Sequence, residues 1–214
     1  MNKAFVWDVP VRVFHWSLAL LFCVSLYTGF NGGLNEMDYH MLSGYAILSL
    51  VAFRVLWGFL GSRNARFASF VKGPVAVMEY IRAPSPTVSG HNPLGALGII
   101  AMLLVVALQA GTGLFSTDDV FVDGPLRHLV SHDTSLLITG IHKINVWAVC
   151  ALAGLHVAAI GWYHWKRGEN LTVPMITGWK QTNADIPAER NNWLLAAILL
   201  AAASAGVYCL VKYV

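Results

Sequence analysis

Charge is what this sequence has least of. Only 12% of its 214 residues are Asp, Glu, Lys or Arg, about half the roughly 25% of an ordinary soluble domain, too few to cover a water-soluble globule. Cysteine is also scarce: Cys23, Cys150 and Cys209 lie far apart inside apolar runs, with no CxxC and no CxxCH. That excludes a disulfide framework, a zinc ribbon and covalent c-type haem attachment in this chain. There is no phosphate-cradling Gly loop, no GxGxxG and no Ser–His–Asp set, so hydrolase, kinase and nicotinamide-dependent readings lack support. A net charge of +3 gives no reason to expect nucleic acid as a partner.

Apolar residues are abundant, at 57%, and the mean hydropathy is +0.59. They fall in five long runs, about 13–30, 38–60, 94–115, 136–163 and 192–212. At ~1.5 Å rise per residue each crosses a hydrocarbon core of roughly 30 Å. The expectation is an all-α integral membrane protein, one membrane domain over 1–214, embedded in lipid. The first run does not read as a cleavable signal, because Arg12 leads into a stretch carrying His15 and Trp16 with no small-x-small site after it. The last, rich in Ala and Leu, reads as a lipid-facing accessory helix.

Lys and Arg collect on the cytoplasmic side of membrane proteins. Here Lys3 and Arg12 precede the first run, Arg63, Arg66, Lys72 and Arg82 follow the second, and Lys166, Arg167, Lys180 and Arg190 follow the fourth. The opposite side has Arg127 in its long loop and Lys212 at the end. Five spans with the N-terminus inside and the C-terminus outside satisfy every loop.

Ionisable side chains within spans are costly and need a partner, a cofactor or a watery path. His15, His40, His142 and His156 all fall inside or at the lip of spans. His142 and His156 are fourteen residues apart, which puts them within about 40° of one face and ~21 Å apart in depth. Following the direction of each span places His15 and His156 near the inner side, and His40 and His142 near the outer side. Two histidines facing each other across a bundle can each give one ring nitrogen to a haem iron. The bland alternative for any one of them is packing or an interhelical hydrogen bond. Arg54 lies fourteen residues after His40, at the inner level, and Arg12 lies just outside His15. Each guanidinium either neutralises a haem propionate or snorkels to the headgroups.

Several segments now carry a resemblance: VWDVPVRVFHW at 6–16, YHMLSGY at 39–45, GHNPLGALG at 90–98, QAGTGLF at 109–115, IHKINVW and GLHVAAI within 141–160, and VPMITGWK at 173–180. They resemble the bacterial cytochrome b561 and nickel–iron hydrogenase b-type cytochrome family, over roughly residues 5–180. The resemblance implies a four-helix transmembrane bundle holding two b-type haems and exchanging electrons with membrane quinones. Its ligands fall on His15, His40, His142 and His156, giving His15/His156 for the inner haem and His40/His142 for the outer. The fifth span departs from that four-helix plan.

The implied function is a di-haem cytochrome of the bacterial inner membrane that carries electrons between quinone or quinol and a periplasmic redox partner, a c-type cytochrome or redox enzyme subunit. A superoxide oxidase delivering electrons to quinone is the alternative within that resemblance. A His-lined proton or metal transporter is the reading from another class. Gly44 and Gly113 read either as close-approach positions between helices or as positions where a flat ring needs no side chain beside it. His128 and His132, at i and i+4, read as a solvated loop rather than a metal site; His91 and His164 read as interfacial, with proton transfer to quinone as the alternative. Trp57, Trp162, Tyr163, Trp165 and Trp193 read as an inner interfacial belt.

Overall fold

The computed structural model describes residues 2–82, 92–182 and 192–214; His91 and Arg190 lie outside the described residues. In chain order the elements are β1 (Asn2–Phe5), α1 (Val9–Asn31), α2 (Leu34–Leu60), a 3-10 turn (Arg63–Ala65), α3 (Phe67–Phe70), α4 (Pro74–Arg82), α5 (Pro93–Gly113), a 3-10 turn (Arg127–Leu129), α6 (His132–Arg167), α7 (Thr172–Thr177), β2 (Trp179–Thr182) and α8 (Trp193–Tyr213). Five of these, α1, α2, α5, α6 and α8, are long and apolar enough to cross a membrane, and they correspond to the five predicted runs.

Helix ends follow local chemistry. Asp8 caps α1 by accepting the Val11 N–H at 2.9 Å, ahead of Pro10 in the first turn. Asn92 caps α5 in the same way through Gly95 N–H at 2.6 Å. Gly32, at φ +67°, ends α1 with its N–H on Thr28 O, and the chain reverses directly into α2. α6 runs for 36 residues, about 54 Å at 1.5 Å per residue, so it extends beyond the predicted 136–163 at both ends. Ser131 caps its start and Gly168, in the left-handed region, closes it.

α2 is the hub, packing against α1, α5 and α8, while α5 packs against α6. α1 meets α6 through ring contacts, His15 with His156 and Phe30 with Trp147. The end of the bundle that carries the N-terminus, called here the basic end, is closed by elements that hydropathy does not reveal. β1 pairs antiparallel with β2, Phe5 opposite Trp179. Val6 and Trp7 donate N–H to Gly178 O at 2.8 and 3.3 Å. Gly178 sits at φ +87°, where a Cβ would stand 2.6 Å from the Phe5 ring. Beneath this latch a cluster of buried side chains joins Val6, Trp7, Val11 and Phe14 to Leu50, Phe53 and Trp57 of α2 and Ala196 and Ala203 of α8.

Candidate haem-binding sites

Because α1 and α2 form a tight antiparallel hairpin, His15 lies near the basic end and His40 near the opposite end. α6 passes both levels. The ring centroids of His15 and His156 are 6.2 Å apart, and those of His40 and His142 are 6.1 Å apart. Two imidazoles that each bind one metal ion through a ring nitrogen at about 2 Å place their centroids roughly 6 Å apart. Both pairs therefore have the donor type and the separation that a six-coordinate haem iron requires.

The pair at the opposite end is held by the backbone of neighbouring helices. His40 Nδ1–H donates to Ser25 O at 2.8 Å, and His142 Nδ1–H donates to Gln109 O at 2.9 Å. These bonds fix the tautomer and leave each Nε2 as the lone-pair nitrogen. Gln109 is itself tied down, its Oε1 accepting from Asn145 Nδ2 at 2.8 Å while Asn145 also donates to Val105 O at 3.0 Å. The Gln109 amide lies 3.2 Å from His142 Nε2, a weak contact that a metal bond would replace. The basic-end pair differs. Among the described residues neither His15 nor His156 has a hydrogen-bond partner on its ring, and His15 Nδ1 is buried without one.

Two glycines fit these rings. A Cβ on Gly29 would stand 2.7 Å from His40 Cε1, and one on Gly113 would stand 3.2 Å from His142 Cε1. Gly113 thus makes room for the His142 imidazole. At Gly44 an added Cβ would meet nothing within 4 Å, and Gly44 is one helical turn from His40 on the bundle-facing side of α2.

Arg54 lies farther down α2 and is only 3% exposed. Its guanidinium sits over the Phe67 ring at 5.1 Å and the Phe70 ring at 6.0 Å, and one terminal nitrogen, Nη1, has no acceptor. It does not snorkel to the surface. Arg12 donates from Nη1 to Ile176 O at 2.6 Å, fastening α1 to α7, and its buried Nε is unpartnered. Trp16 adds a second strap, Nε1–H to Met175 O at 3.2 Å, while its ring packs edge-on against His15.

Other sequence expectations resolve differently. Trp57 is not part of an interfacial belt: it is fully buried, and its indole N–H donates to Asp8 Oδ2 at 3.0 Å. Tyr163 joins a polar cluster, with Tyr80 OH at 2.9 Å and Asn92 Nδ2 at 2.8 Å from its hydroxyl. Burial and the Tyr163 hydrogen bond push the Tyr80 phenol up to about 12. His128 and His132 diverge, the first on Val214 O at 2.8 Å and the second beside Arg127 at 3.1 Å and Asp119 at 3.6 Å. Among the described residues no group of three or more His, Cys, Asp or Glu side chains is arranged for a metal ion. His164 is exposed at the end of α6. Ser25, Gly29, Gln109 and Asn145 were not singled out from sequence; the signal available was polar or minimal residues inside otherwise apolar spans.

The chain is similar in sequence to known proteins. A probable Ni/Fe-hydrogenase 1 B-type cytochrome subunit of Escherichia coli K12 is 25% identical over 191 residues, covering 72% of this chain and 80% of its own. A probable Ni/Fe-hydrogenase B-type cytochrome subunit of Rhodobacter capsulatus is 24% identical over 198 residues, covering 74% of each chain. The corresponding protein of Azotobacter vinelandii is 24% identical over 223 residues, covering 87% of this chain and 92% of its own. No solved structure matches. The family described as prokaryotic cytochrome b561 matches residues 6–178. That stretch begins at Val6 in the buried cluster, ends at the glycine that closes α7 and leaves out β1, β2 and α8: the chain belongs to the prokaryotic cytochrome b561 family and is a multi-pass membrane b-type cytochrome of electron transfer.

Proposed function

We propose that the chain is a di-haem cytochrome of the bacterial inner membrane that moves electrons between quinone or quinol and a periplasmic redox partner. The observation that carries this reading is the pairing of four intramembrane histidines at 6.2 and 6.1 Å on three helices. In this reading His15 and His156 hold the inner haem and His40 and His142 the outer, with the N-terminus in the cytoplasm and the C-terminus in the periplasm. The concentration of Lys and Arg at the basic end supports that orientation. Two b haems bring one-electron redox chemistry to both levels of the bundle.

The protein's own contribution is to hold the imidazoles at the right separation, fix the outer tautomers and surround both sites with apolar helix faces. Arg54 and Arg12, each with an unpartnered buried nitrogen, supply donors for propionate carboxylates. Gly44 leaves room beside His40 for a flat ring. On the outer side Asp38, Asp118, Asp119, Asp123 and Asp133 are exposed. A field of that sign attracts a cationic protein and repels superoxide, so it favours a periplasmic c-type cytochrome or redox enzyme subunit as partner. The hydrogenase subunits among the relatives are consistent with a redox enzyme in that role.

Purified protein reduced with dithionite tests the reading. The expected result is a b-type Soret and α band with two haems per chain. Absence of those bands would leave the histidines to a proton or metal path.

A further inference from the structure

The loop between α5 and α6 carries two apolar side chains that the rest of the chain leaves uncovered. Val120 is 69% exposed and Phe121 79%, although the loop around them is tightly built. Asp118 N–H donates to Val122 O at 3.1 Å, and Gly124 and Leu126 N–H donate to Ser116 O and Leu114 O at 2.7 and 2.8 Å. Leu114, Thr117 and Leu126 are buried beneath it. The loop therefore has its own packed interior, and Phe121 stands outside that interior instead of filling it. A large ring held bare on a fixed backbone costs little to order on binding. Aromatic anchors of this kind carry much of the energy of protein–protein contacts.

The loop is seated at the end of the bundle that carries His40 and His142. Thr117 N–H donates to Thr139 Oγ1 at 3.0 Å, and the Ser135 hydroxyl donates to Phe115 O at 2.7 Å. Thr139 precedes His142 by three residues, about 4.5 Å of helical rise. Gly124 lies so close to Gly113 that a Cβ on it would stand 2.5 Å from the Gly113 carbonyl oxygen, and Gly113 itself lies against the His142 ring. A body gripping the tip is thereby held at that histidine pair.

Lipid and another protein are the two surfaces that can cover an apolar tip, and the surrounding charge separates them. Asp118, Asp119 and Asp123 flank the tip and are exposed. Sinking Phe121 into lipid would draw three carboxylates out of water with it, which is costly. A protein whose apolar patch is ringed by lysines meets both features at once, the patch on the ring and the lysines on the acids. Solvation of the loop accounts for the acids but not for the bare ring.

We propose that Phe121, with Val120 beside it, is the anchor of a docking site for a cationic redox protein, with Asp118, Asp119 and Asp123 as its rim. This rests on the proposed exchange with a periplasmic redox partner and adds the residues that grip it. It also divides their labour: the acids set how fast the partner arrives, the ring how long it stays.

The test is oxidation of the reduced, purified cytochrome in lipid nanodiscs by ferric mitochondrial cytochrome c, a lysine-rich probe, one electron passing from haem to probe. In wild type the rate should saturate with probe concentration and fall with salt. Phe121→Ala should raise the half-saturating concentration about tenfold, as for an interface anchor, and keep the wild-type salt dependence. Phe121→Leu should recover most of the loss. Oxidation by a short-chain quinone, which needs no protein contact, should be the same in all three. A polarity-sensitive fluorophore on Phe121→Cys, with Cys23, Cys150 and Cys209 replaced by Ala, should report water in the nanodisc and shift to the blue only when the probe is added. Three results would overturn the inference: a half-saturating concentration unchanged by Phe121→Ala, no saturable reaction of wild type with the probe, or a fluorophore already buried without it, which would assign the tip to lipid. Protein without haem bands, or haems that the quinone leaves reduced, would instead overturn the di-haem function beneath it.

Discussion

Asp8 shows how much one buried carboxylate holds at the basic end. It is 1% exposed, caps α1 and accepts the indole N–H of Trp57, which is itself fully buried. Asp8→Ala removes the cap and orphans that N–H, a loss of about 3 kcal/mol; Asp8→Asn keeps an acceptor and should lose less. Thermal unfolding in detergent should rank the apparent Tm as wild type, then Asn, then Ala. Asp118 makes a different, surface-exposed arrangement, its Oδ1 accepting from Val120, Phe121 and Val122 N–H at 2.8 to 3.0 Å. Those bonds, led by Val122, hold its carboxyl below the ordinary carboxylate range. The loop order they provide is therefore complete above the unfolded value and lost as pH falls through the lowered one. Amide protection at these three residues should fall on acidification, and Asp118→Ala should lack it at neutral pH; protection that ignores pH would contradict the assignment. At this scale the four histidines were legible in the sequence because span direction and helical rise fix depth. Ser25, Gly29 and Gln109 were not, because what they do depends on which way each helix is rotated toward its neighbour, and depth carries no such information.

Among the spanning helices, α8 is the one that lies outside the matched region. It buries Ala196, Ala203 and Val207, with the first two packed into the cluster beneath the β1–β2 latch, so it is a lateral buttress on α2 and not a purely lipid-facing accessory. The paired histidines sit on α1, α2 and α6. Ala203→Leu should overpack the α2 contact and lower stability by about 1–3 kcal/mol while both haem signals persist at unchanged stoichiometry; loss of one haem in this variant would mean that α8 shapes a site. The five spans were readable from hydropathy because length and apolar content alone decide them. The short elements α3, α4 and α7 and the two-stranded sheet were not. They are held by long-range contacts, such as Arg12 with Ile176 O and Val6 with Gly178 O, and leave little periodic trace in segments of four to nine residues. Trp57 was misplaced for a related reason: a tryptophan near a span end reads as interfacial until the segment that covers it is known.

For the whole molecule, charge is sorted by end, basic where the chain begins and acidic on the 116–135 side. In the proposed orientation the acidic side faces the periplasm, and reduction or oxidation by a cationic redox protein should slow as salt rises, because screening beyond ~10 Å removes the attraction. The double variant Asp118→Asn/Asp119→Asn should be slower at low salt and less salt-dependent than wild type. Equal rates across both conditions would assign these acids to solvation of the loop alone. The central claim, that four histidines hold two haems in fixed pairs, is tested most directly by the low-temperature α-band spectra of four single variants. His15→Ala and His156→Ala should lose the same spectral component, and His40→Ala and His142→Ala the other, each variant retaining one haem per chain. Loss of one component by His15→Ala and of the other by His156→Ala would contradict it.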